Sequence, residues 1–151
     1  MAQTHQFCTF YLDKLMFGVE LEKVQEVIRY LEITEIPLAP RVVSGLMNLR
    51  GQIVTGIDLR RRLDLADRTD GAAPMNVVIR SADGAVSLLV DYIGDVVEVT
   101  DESFERPPET LQGKVRDVIL GVHKLEKQLM HVLNTERACE TAETAASSPE
   151  R

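Results

Sequence analysis

The sequence is short of the residues that support several common kinds of protein. Its 151 residues include no tryptophan, 5% aromatic residues and two cysteines. Cys8 falls in a predicted strand and Cys139 in a polar tail, so we expect neither a disulfide framework nor a cysteine-bound metal. The longest apolar runs, such as residues 118–122, are far shorter than the ~20 residues that span a bilayer. Residues 1–12 show no secretory signal pattern, and we expect a cytoplasmic protein.

Positive charge is also scarce, because the formal net charge is −7. A nucleic-acid-binding protein gains affinity by neutralising phosphates with basic side chains, and anionic membrane surfaces attract the same side chains. The one basic cluster, Arg60-Arg61-Arg62, is divided between two faces if the segment is an extended strand. The nine glycines form no phosphate-binding motif. The composition therefore predicts no nucleic-acid partner, no direct insertion into a membrane and no cofactor.

The sequence does contain many short strand patterns separated by turn residues. Asp13-Lys14, Asp83-Gly84 and Glu126-Lys127 each lie between two apolar or β-branched runs, the arrangement typical of a hairpin. Strands are predicted over residues 6–12, 15–19, 31–36, 77–79, 85–90, 93–100, 118–125 and 128–133, and within residues 46–63.

Helical structure is predicted in few places. Leu21, Val24 and Ile28 are spaced at i, i+3 and i+7, which predicts a short helix within residues 20–30. A single helical turn is predicted over residues 41–45, and a long loop or short helix over residues 101–117. From residue 135 the composition turns to Ala, Glu, Thr and Ser, which predicts a frayed helix passing into disorder.

About ten short strands with few helices predict a mostly β protein, either a sandwich or small barrels. The polar residues 66–74 are interpreted as a loop that separates the strands into two sets of similar size. Either set alone buries little apolar surface, so we expect the two sets to pack against each other.

The most distinctive stretch is residues 46–63. Asn48-Leu49-Arg50-Gly51 predicts a strand that enters a tight bend, where glycine tolerates positive φ. Gly56 suggests a bulge or a coiled corner. The guanidinium of Arg50 can hold a carboxylate through two parallel bonds, although an arginine here can also simply secure the turn. The apolar side chains expected to be buried are Ile53, Val54, Ile57, Leu59 and Leu63.

Candidate catalytic residues are sparse. No Ser/His/Asp or Cys/His arrangement is apparent. A two- or four-residue loop at Glu126-Lys127 pairs His131 with Val122 and places His123 and His131 on opposite faces, which disfavours a metal site. The acids Asp91, Asp95 and Glu98 lie at predicted strand ends and leave open a small acid-dependent hydrolase.

An apolar excess indicates a partner surface instead. Leu21, Val24 and Val27 cannot all face one core from a short helix. Val77 and Val78 are adjacent in a predicted strand, so one of them points outward unless something covers it. Exposed apolar side chains bordered by Glu and Lys are typical of a partner-binding surface. The alternative is that the other half of the chain covers them.

Several motifs resemble the CheW family of bacterial chemotaxis coupling proteins. Asn48-Leu49-Arg50-Gly51, followed by Ile57-Asp58-Leu59-Arg60, resembles the core motif of the family. Residues 17–27 resemble its second strand and short helix, and residues 77–79, 89–91 and 96–99 resemble its second half. The resemblance covers about residues 6–134, with the motifs in the family's order and spacing.

The resemblance implies two packed five-stranded SH3-like barrels with short helices, some strands being shared between them. The first barrel would comprise roughly residues 6–20 and 31–65 and the second roughly residues 75–134, followed by a polar tail over residues 135–151. The family usually has proline and a bulky apolar residue where this chain has Thr55-Gly56, so the local bend is expected to form differently. The tail also lacks the family's Leu-rich C-terminal helix.

The resemblance also implies a non-catalytic adaptor. It would couple the cytoplasmic tip of a chemoreceptor, which is a helical hairpin, to the regulatory domain of a CheA-type histidine kinase at membrane-associated receptor arrays. An alternative is a scaffold in a related pathway that controls pili or a second messenger. Glu26 and Arg50 would form a charged pair beside the receptor groove. Carried over by position, the groove residues are Leu21, Val24, Glu26, Arg50, Val77 and Val78.

Overall fold

The computed structural model describes residues 3–67, 73–81 and 84–140. Three short helices occur in these ranges: α1 (Leu59–Arg62), α2 (Lys114–Asp117) and α3 (Thr135–Ala138). Two 3₁₀ turns cover Leu21–Lys23 and Asp101–Ser103. The strands of the described ranges are β1 (Thr4–Leu12), β2 (Leu15–Glu20), β3 (Val24–Ile28), β4 (Val43–Leu49), β5 (Gln52–Asp58), β6 (Met75–Ser81), β7 (Gly84–Val90), β8 (Tyr92–Thr100), β9 (Phe104–Glu105), β10 (Ile119–Lys124) and β11 (Leu129–Leu133).

The strands form two sheets that pack together. Sheet A has six strands in the order β8-β1-β2-β11-β10-β9, and sheet B has five in the order β3-β6-β7-β5-β4. Neighbouring strands are antiparallel except for β2 with β11 and β5 with β7. The predicted class, mostly β with two packed small barrels, is confirmed.

The division of the chain between the sheets differs from the expected one. Strands β1 and β2 pair with strands from the second half of the chain, whereas β6 and β7 join β3, β4 and β5. Residues 6–20 and 31–65 therefore do not form one barrel by themselves, nor do residues 75–134. The sheets mix the two halves of the chain because of two parallel pairings. β2 pairs with β11 and β5 pairs with β7, each along a strand edge that its own hairpin leaves free.

Buried apolar side chains form three clusters. The largest contains residues of both sheets, including Phe10 and Phe17 from sheet A and Ile57, Val77 and Leu88 from sheet B. A second cluster lies within sheet A around Phe7 and Met130, and a third lies within sheet B around Leu49, Val54 and Val78. Strand β6 is consequently buried on both faces, which explains its uninterrupted apolar run.

The segment predicted as a helix within residues 20–30 is instead a 3₁₀ turn followed by strand β3. Val24 pairs with Ile79, and Glu26 pairs with Val78. The register shifts between Val24 and Glu26, and this irregularity disguises the two-residue period of a strand. Backbone pairing with β6 outweighs the weak helical preference of β-branched residues.

The bend after Asn48 is confirmed. Arg50 and Gly51 have φ values of 51° and 91°, and the side-chain Oδ1 of Asn48 accepts a 2.8 Å hydrogen bond from the Gly51 amide. The bulge suggested by Gly56 lies on the neighbouring strand, where the register shifts between Val43 and Gly45. Gly56 permits close packing instead, because a Cβ there would lie 2.3 Å from the Met47 Cε.

Three details within residues 41–63 differ from expectation. Ile53 is exposed, whereas Val54, Ile57, Leu59 and Leu63 are buried as predicted. Arg60-Arg61-Arg62 belongs to helix α1 rather than to a strand. The helix begins because the side chain of Asp58 accepts from the Arg61 amide as an N-cap. Residues 41–42 form a turn and β4 already begins at Val43, so the single helical turn over 41–45 is absent.

The start of the predicted frayed tail is docked. The Asn134 side chain caps α3, and Ala138 is fully buried in the cluster between the sheets. Arg62 Nη2 donates a 2.6 Å hydrogen bond to the carbonyl of Arg137. Residues 141–151, where disorder is expected, lie outside the described residues, as do residues 68–72 of the predicted loop and Asp83 of the predicted turn.

None of the helices in the described ranges has both the length and the apolar character needed to cross a membrane.

Candidate functional site

The charged pair proposed from the sequence resemblance is present. Arg50 Nη2 donates to Glu26 Oε1. Glu26 lies in β3 at one edge of sheet B, and Arg50 lies in the turn between β4 and β5 at the other edge. The left-handed backbone of Arg50 turns the chain here. The ion pair therefore links the two edges of sheet B on the protein surface.

The exposure of this pair limits its contribution to stability. The Arg50 side chain is 68% exposed and that of Glu26 is 27% exposed. Exposed ion pairs contribute about 0–1 kcal/mol, because solvent screens them and two long side chains lose freedom. A guanidinium held in this way keeps unused donors directed to solvent. The pair is thus available to contact another molecule.

Exposed apolar side chains lie close to the charged pair in sequence. Val27 follows Glu26 in β3 and is 44% exposed, and Ile53 is the second residue of β5, just after the bend, and is 61% exposed. Tyr30 is also exposed shortly after β3. Apolar side chains bordered by charge are typical of a surface that binds another protein.

The structure brings most of the predicted groove residues together around β3. Val24 and Glu26 lie in β3, and Glu26 and Val27 pair with Val78 and Val77 of β6. Leu21 is separate: it lines a largely polar cavity with Thr4, Gln6 and Glu98 at the junction with sheet A. The predicted set is therefore one group around β3, with Leu21 at its margin.

Val77 and Val78 are not surface residues, because both side chains are completely buried. Val77 packs in the cluster between the sheets. Val78 packs with Leu49 and Val54 within sheet B. Both valines belong to the strand that pairs with β3, and neither side chain is accessible to a partner. The alternative prediction, that other parts of the chain cover these two side chains, is the one that agrees with the structure.

Sequence reasoning missed two exposed apolar residues. Ile53 was expected to be buried, because the strand pattern around it is almost continuously apolar. Leu38 has a fully exposed side chain and a φ of 63°, which is rare for leucine. The signal for Leu38 was its position in Pro37-Leu38-Ala39-Pro40, a sequence that prevents regular structure and leaves the side chain without neighbours.

The acidic candidate for catalysis is already engaged in a buried network. Arg60 Nε donates to Asp91 Oδ1 at 2.9 Å and Arg60 Nη2 donates to Asp91 Oδ2 at 2.6 Å. The amide of Asp13 donates to Asp91 Oδ2 at 2.8 Å. The hydrogen bond from Arg60 to Asp91 raises the pKa of the guanidinium above its usual value. Asp91 thus neutralises a nearly buried arginine, a structural role that disfavours it as a general acid or base.

The two histidines of the last hairpin lie on opposite faces, as predicted from the loop length. Val122 pairs with His131, and His123 pairs with Met130. His131 Nδ1 contacts the carbonyl of Met16, and His123 Nδ1 contacts the hydroxyl of Ser103. Across residues 3–67, 73–81 and 84–140, no three His, Cys, Asp or Glu side chains are grouped to hold a metal ion.

The cysteines show no sign of activation. Burial raises the pKa of Cys8 above its usual value and raises the pKa of Cys139 to about 11. Both thiols therefore stay protonated near neutral pH, and a protonated thiol is a poor nucleophile.

Comparison with known proteins gives consistent results. A family model described as "CheW-like domain" matches residues 6–143. The chain is 29% identical over 133 residues to "Chemotaxis protein CheW" of Treponema pallidum, with 85% of this chain and 78% of that protein covered. It is 27% identical over 140 residues to the protein of the same name from Klebsiella aerogenes, with 93% of this chain and 84% of that protein covered.

A solved structure has the same fold. It is described as "scaffolding protein TtCheW from Thermoanaerobacter tengcongensis", and it matches with a TM-score of 0.78 at 24% identity. The alignment covers 87% of this chain and 89% of that chain. The arrangement of two packed sheets is therefore shared with that protein.

Proposed function

The chain belongs to the CheW-like family, and from this premise we propose that it is a non-catalytic adaptor in bacterial chemotaxis. It couples the cytoplasmic tip of a chemoreceptor to the regulatory domain of a CheA-type histidine kinase. It acts in the cytoplasm and is recruited to membrane-associated receptor arrays. The observation that carries this proposal is the Glu26–Arg50 ion pair on the surface of sheet B.

The chemistry of this surface suits a helical partner. A helix that binds in a groove presents apolar side chains on one face and polar side chains along its borders. Glu26 and Arg50 supply fixed charges of both signs, and Val27 and Ile53 add exposed apolar side chains nearby in sequence. We expect a receptor helix to lie along β3, with the charged pair setting its orientation.

The six residues carried over from the family have two different roles in this proposal. Leu21, Val24, Glu26 and Arg50 contact the receptor directly. Val77 and Val78 act indirectly by holding β3 in position, because their side chains are buried and their backbones pair with β3. The kinase regulatory domain, itself built of similar barrels, binds elsewhere through a barrel-to-barrel contact.

An exchange of charges tests the receptor surface. The variants are Glu26→Arg, Arg50→Glu and the double variant that carries both changes. The double variant restores an ion pair between the same positions with reversed polarity. If the pair serves the partner, all three variants bind a receptor-tip helical hairpin about tenfold or more weakly in calorimetric titration. Circular dichroism and the urea midpoint of the double variant stay at wild-type values.

A matched control is Lys124→Ala, because Lys124 forms an exposed 3.1 Å ion pair with Glu105 in sheet A. This variant should bind the receptor tip normally. Wild-type affinity in the double charge-exchange variant would show that the Glu26–Arg50 pair only joins the edges of sheet B, and the receptor site would have to lie elsewhere.

A further inference from the structure

A second, mainly apolar cavity lies in sheet A, away from the Glu26–Arg50 pair. Its volume is about 350 Å³, within the range of small-molecule sites. Strands β1, β10 and β11 and the short strand β9 contribute its apolar walls. Its lining includes His5, Phe7, Phe104, Leu120, His123 and Val132.

A buried imidazole forms one side of this cavity. His123 is 3% exposed, and its ring lies between two phenylalanines. The ring centroids are 5.5 Å apart for Phe7 and His123 and 5.2 Å apart for Phe104 and His123. These tilted contacts fix the imidazole plane and create an aromatic surface where an aromatic ligand can pack.

The hydrogen bonds of Ser103 determine the tautomer of His123. Ser103 Oγ lies 3.2 Å from the carbonyl of Thr100 and 2.8 Å from His123 Nδ1. A carbonyl can only accept, so the single hydroxyl proton goes to Thr100, and Ser103 then accepts from Nδ1–H. This is the one tautomer that satisfies both contacts, and it leaves Nε2 with a lone pair.

That lone pair is an unused acceptor. No group in the described part of the chain forms a hydrogen bond with His123 Nε2. Burial and the nearby His5 lower the pKa of His123, more than the nearby Asp101 raises it, which favours the neutral ring. A buried polar atom without a partner is costly. Here it lies at a cavity large enough to admit a donor.

The charged groups around the cavity are already paired with one another. His5 Nε2 contacts Asp101 Oδ1 at 2.5 Å, and Lys23 Nζ contacts Glu20 Oε1 at 3.4 Å. A charged ligand would have to compete with these existing pairs, at a cost in binding energy. A neutral ligand avoids that cost and keeps the apolar walls in contact.

From these observations we propose that the cavity binds a neutral aromatic molecule that donates one N–H or O–H hydrogen bond to His123 Nε2. The ring of the ligand packs between Phe7, Leu120 and Val132, and Phe104 lies at the open side. The site does not depend on receptor or kinase binding.

Indole and 1-methylindole distinguish this site from a water-filled cavity. The two compounds have nearly the same shape, but only indole carries an N–H donor. Titration of the ¹⁵N-labelled full chain, followed by NMR, should show saturable shifts at residues around the cavity. Indole should bind about threefold to tenfold more tightly than 1-methylindole, the difference that one neutral hydrogen bond supplies. In His123→Leu the two affinities should become equal.

A second variant keeps the test valid if His123→Leu does not fold. Leu120 is more than half exposed, so Leu120→Glu should leave the fold intact and weaken both compounds severalfold by placing a charge in the apolar wall. The control is Leu38→Glu, which changes an exposed leucine that does not line the cavity. Absence of saturable binding, or equal affinities of the two compounds for the wild-type chain, would overturn the proposal.

Discussion

Arg50 joins the two edges of sheet B from a position where few residues other than glycine are found. The tight bend could be predicted from Asn48-Leu49-Arg50-Gly51, because the Asn48 side chain and the glycine both favour it. The carboxylate partner could not be predicted from chemistry alone. Glu26 is 24 residues away in sequence, and the two residues meet only because the opposite edges of sheet B approach each other. The family resemblance supplied that contact.

Asp91 illustrates the opposite outcome at the same scale. Its position at the end of an apolar run suggested an acid available for catalysis. The Asp91 carboxylate instead accepts hydrogen bonds from Arg60, because helix α1 directs the Arg60 side chain towards the end of β7 and the first hairpin. The Arg60–Asp91 contact could not be predicted from the sequence, because Arg60 was expected to lie in an extended strand.

The network predicts a large effect of removing Asp91. In Asp91→Ala the guanidinium of Arg60, 12% exposed, loses its main partner in a region with little water. Loss of one partner of a buried ion pair costs about 3–5 kcal/mol. We expect a decrease of that size in the free energy of unfolding, measured by urea denaturation with circular dichroism.

Asp95→Ala is the matched control for this change. Asp95 is exposed, and it is its backbone carbonyl that accepts from the hydroxyl of Thr9. The control should change the free energy of unfolding by less than about 0.5 kcal/mol. Equal effects of the two substitutions would show that Asp91 is not the partner that stabilises Arg60.

At the scale of elements, strands with regular alternation and short turns were predictable. The hairpins β1–β2 and β10–β11 are found with the expected turns, and Leu12 pairs with Leu15 and Lys124 with Leu129. Strand β3 was not predictable, because its apolar spacing fits a short helix as well as a bulged strand. What decides its structure is the β6 backbone, which is far away in sequence.

Helix α3 is a second element that sequence composition misjudged. An alanine side chain buries little apolar surface, so the alanines of this segment gave little reason to predict that the helix packs against the core. Yet Ala138 is fully buried in the cluster between the sheets, and Arg62 donates a hydrogen bond to the Arg137 carbonyl of this helix. A small side chain is what allows α3 to approach so closely.

The docking of α3 can be tested with leucine at two positions of the same short helix. Ala138→Leu forces three additional carbon atoms into a filled cluster and should lower the free energy of unfolding by about 1–3 kcal/mol. Glu136→Leu changes an exposed position and should have an effect within about 0.5 kcal/mol. Thermal and urea unfolding give both values. Identical stabilities would mean that α3 is detached from the cluster in solution.

At the scale of the whole molecule, each sheet takes strands from both halves of the chain. The mostly β class and the packing of two small barrels with some shared strands could be predicted, whereas the identity of the strands that are shared could not. Parallel pairing of β2 with β11 and of β5 with β7 joins residues that are far apart in sequence, and local patterns carry no information about it. Because each sheet needs both halves, we expect the described fold to form as one unit.

This architecture also suits an adaptor. Two packed sheets give one rigid body with separate surfaces, and a rigid body transmits the position of one partner to another. The Glu26–Arg50 surface lies on sheet B, which leaves other faces for a kinase domain. The central claim is therefore that one copy of the chain binds both partners at the same time.

The most direct test of that claim is sedimentation velocity of a fluorescently labelled kinase regulatory domain. The domain is measured alone, with the receptor-tip hairpin, with the full chain, and with both. We predict a first increase in sedimentation coefficient when the chain is added, and a second when the receptor tip is added in its presence. The receptor tip should have no effect when the chain is omitted. If the receptor tip returns the kinase domain to its free sedimentation coefficient, or if the chain never changes it, the adaptor account is contradicted.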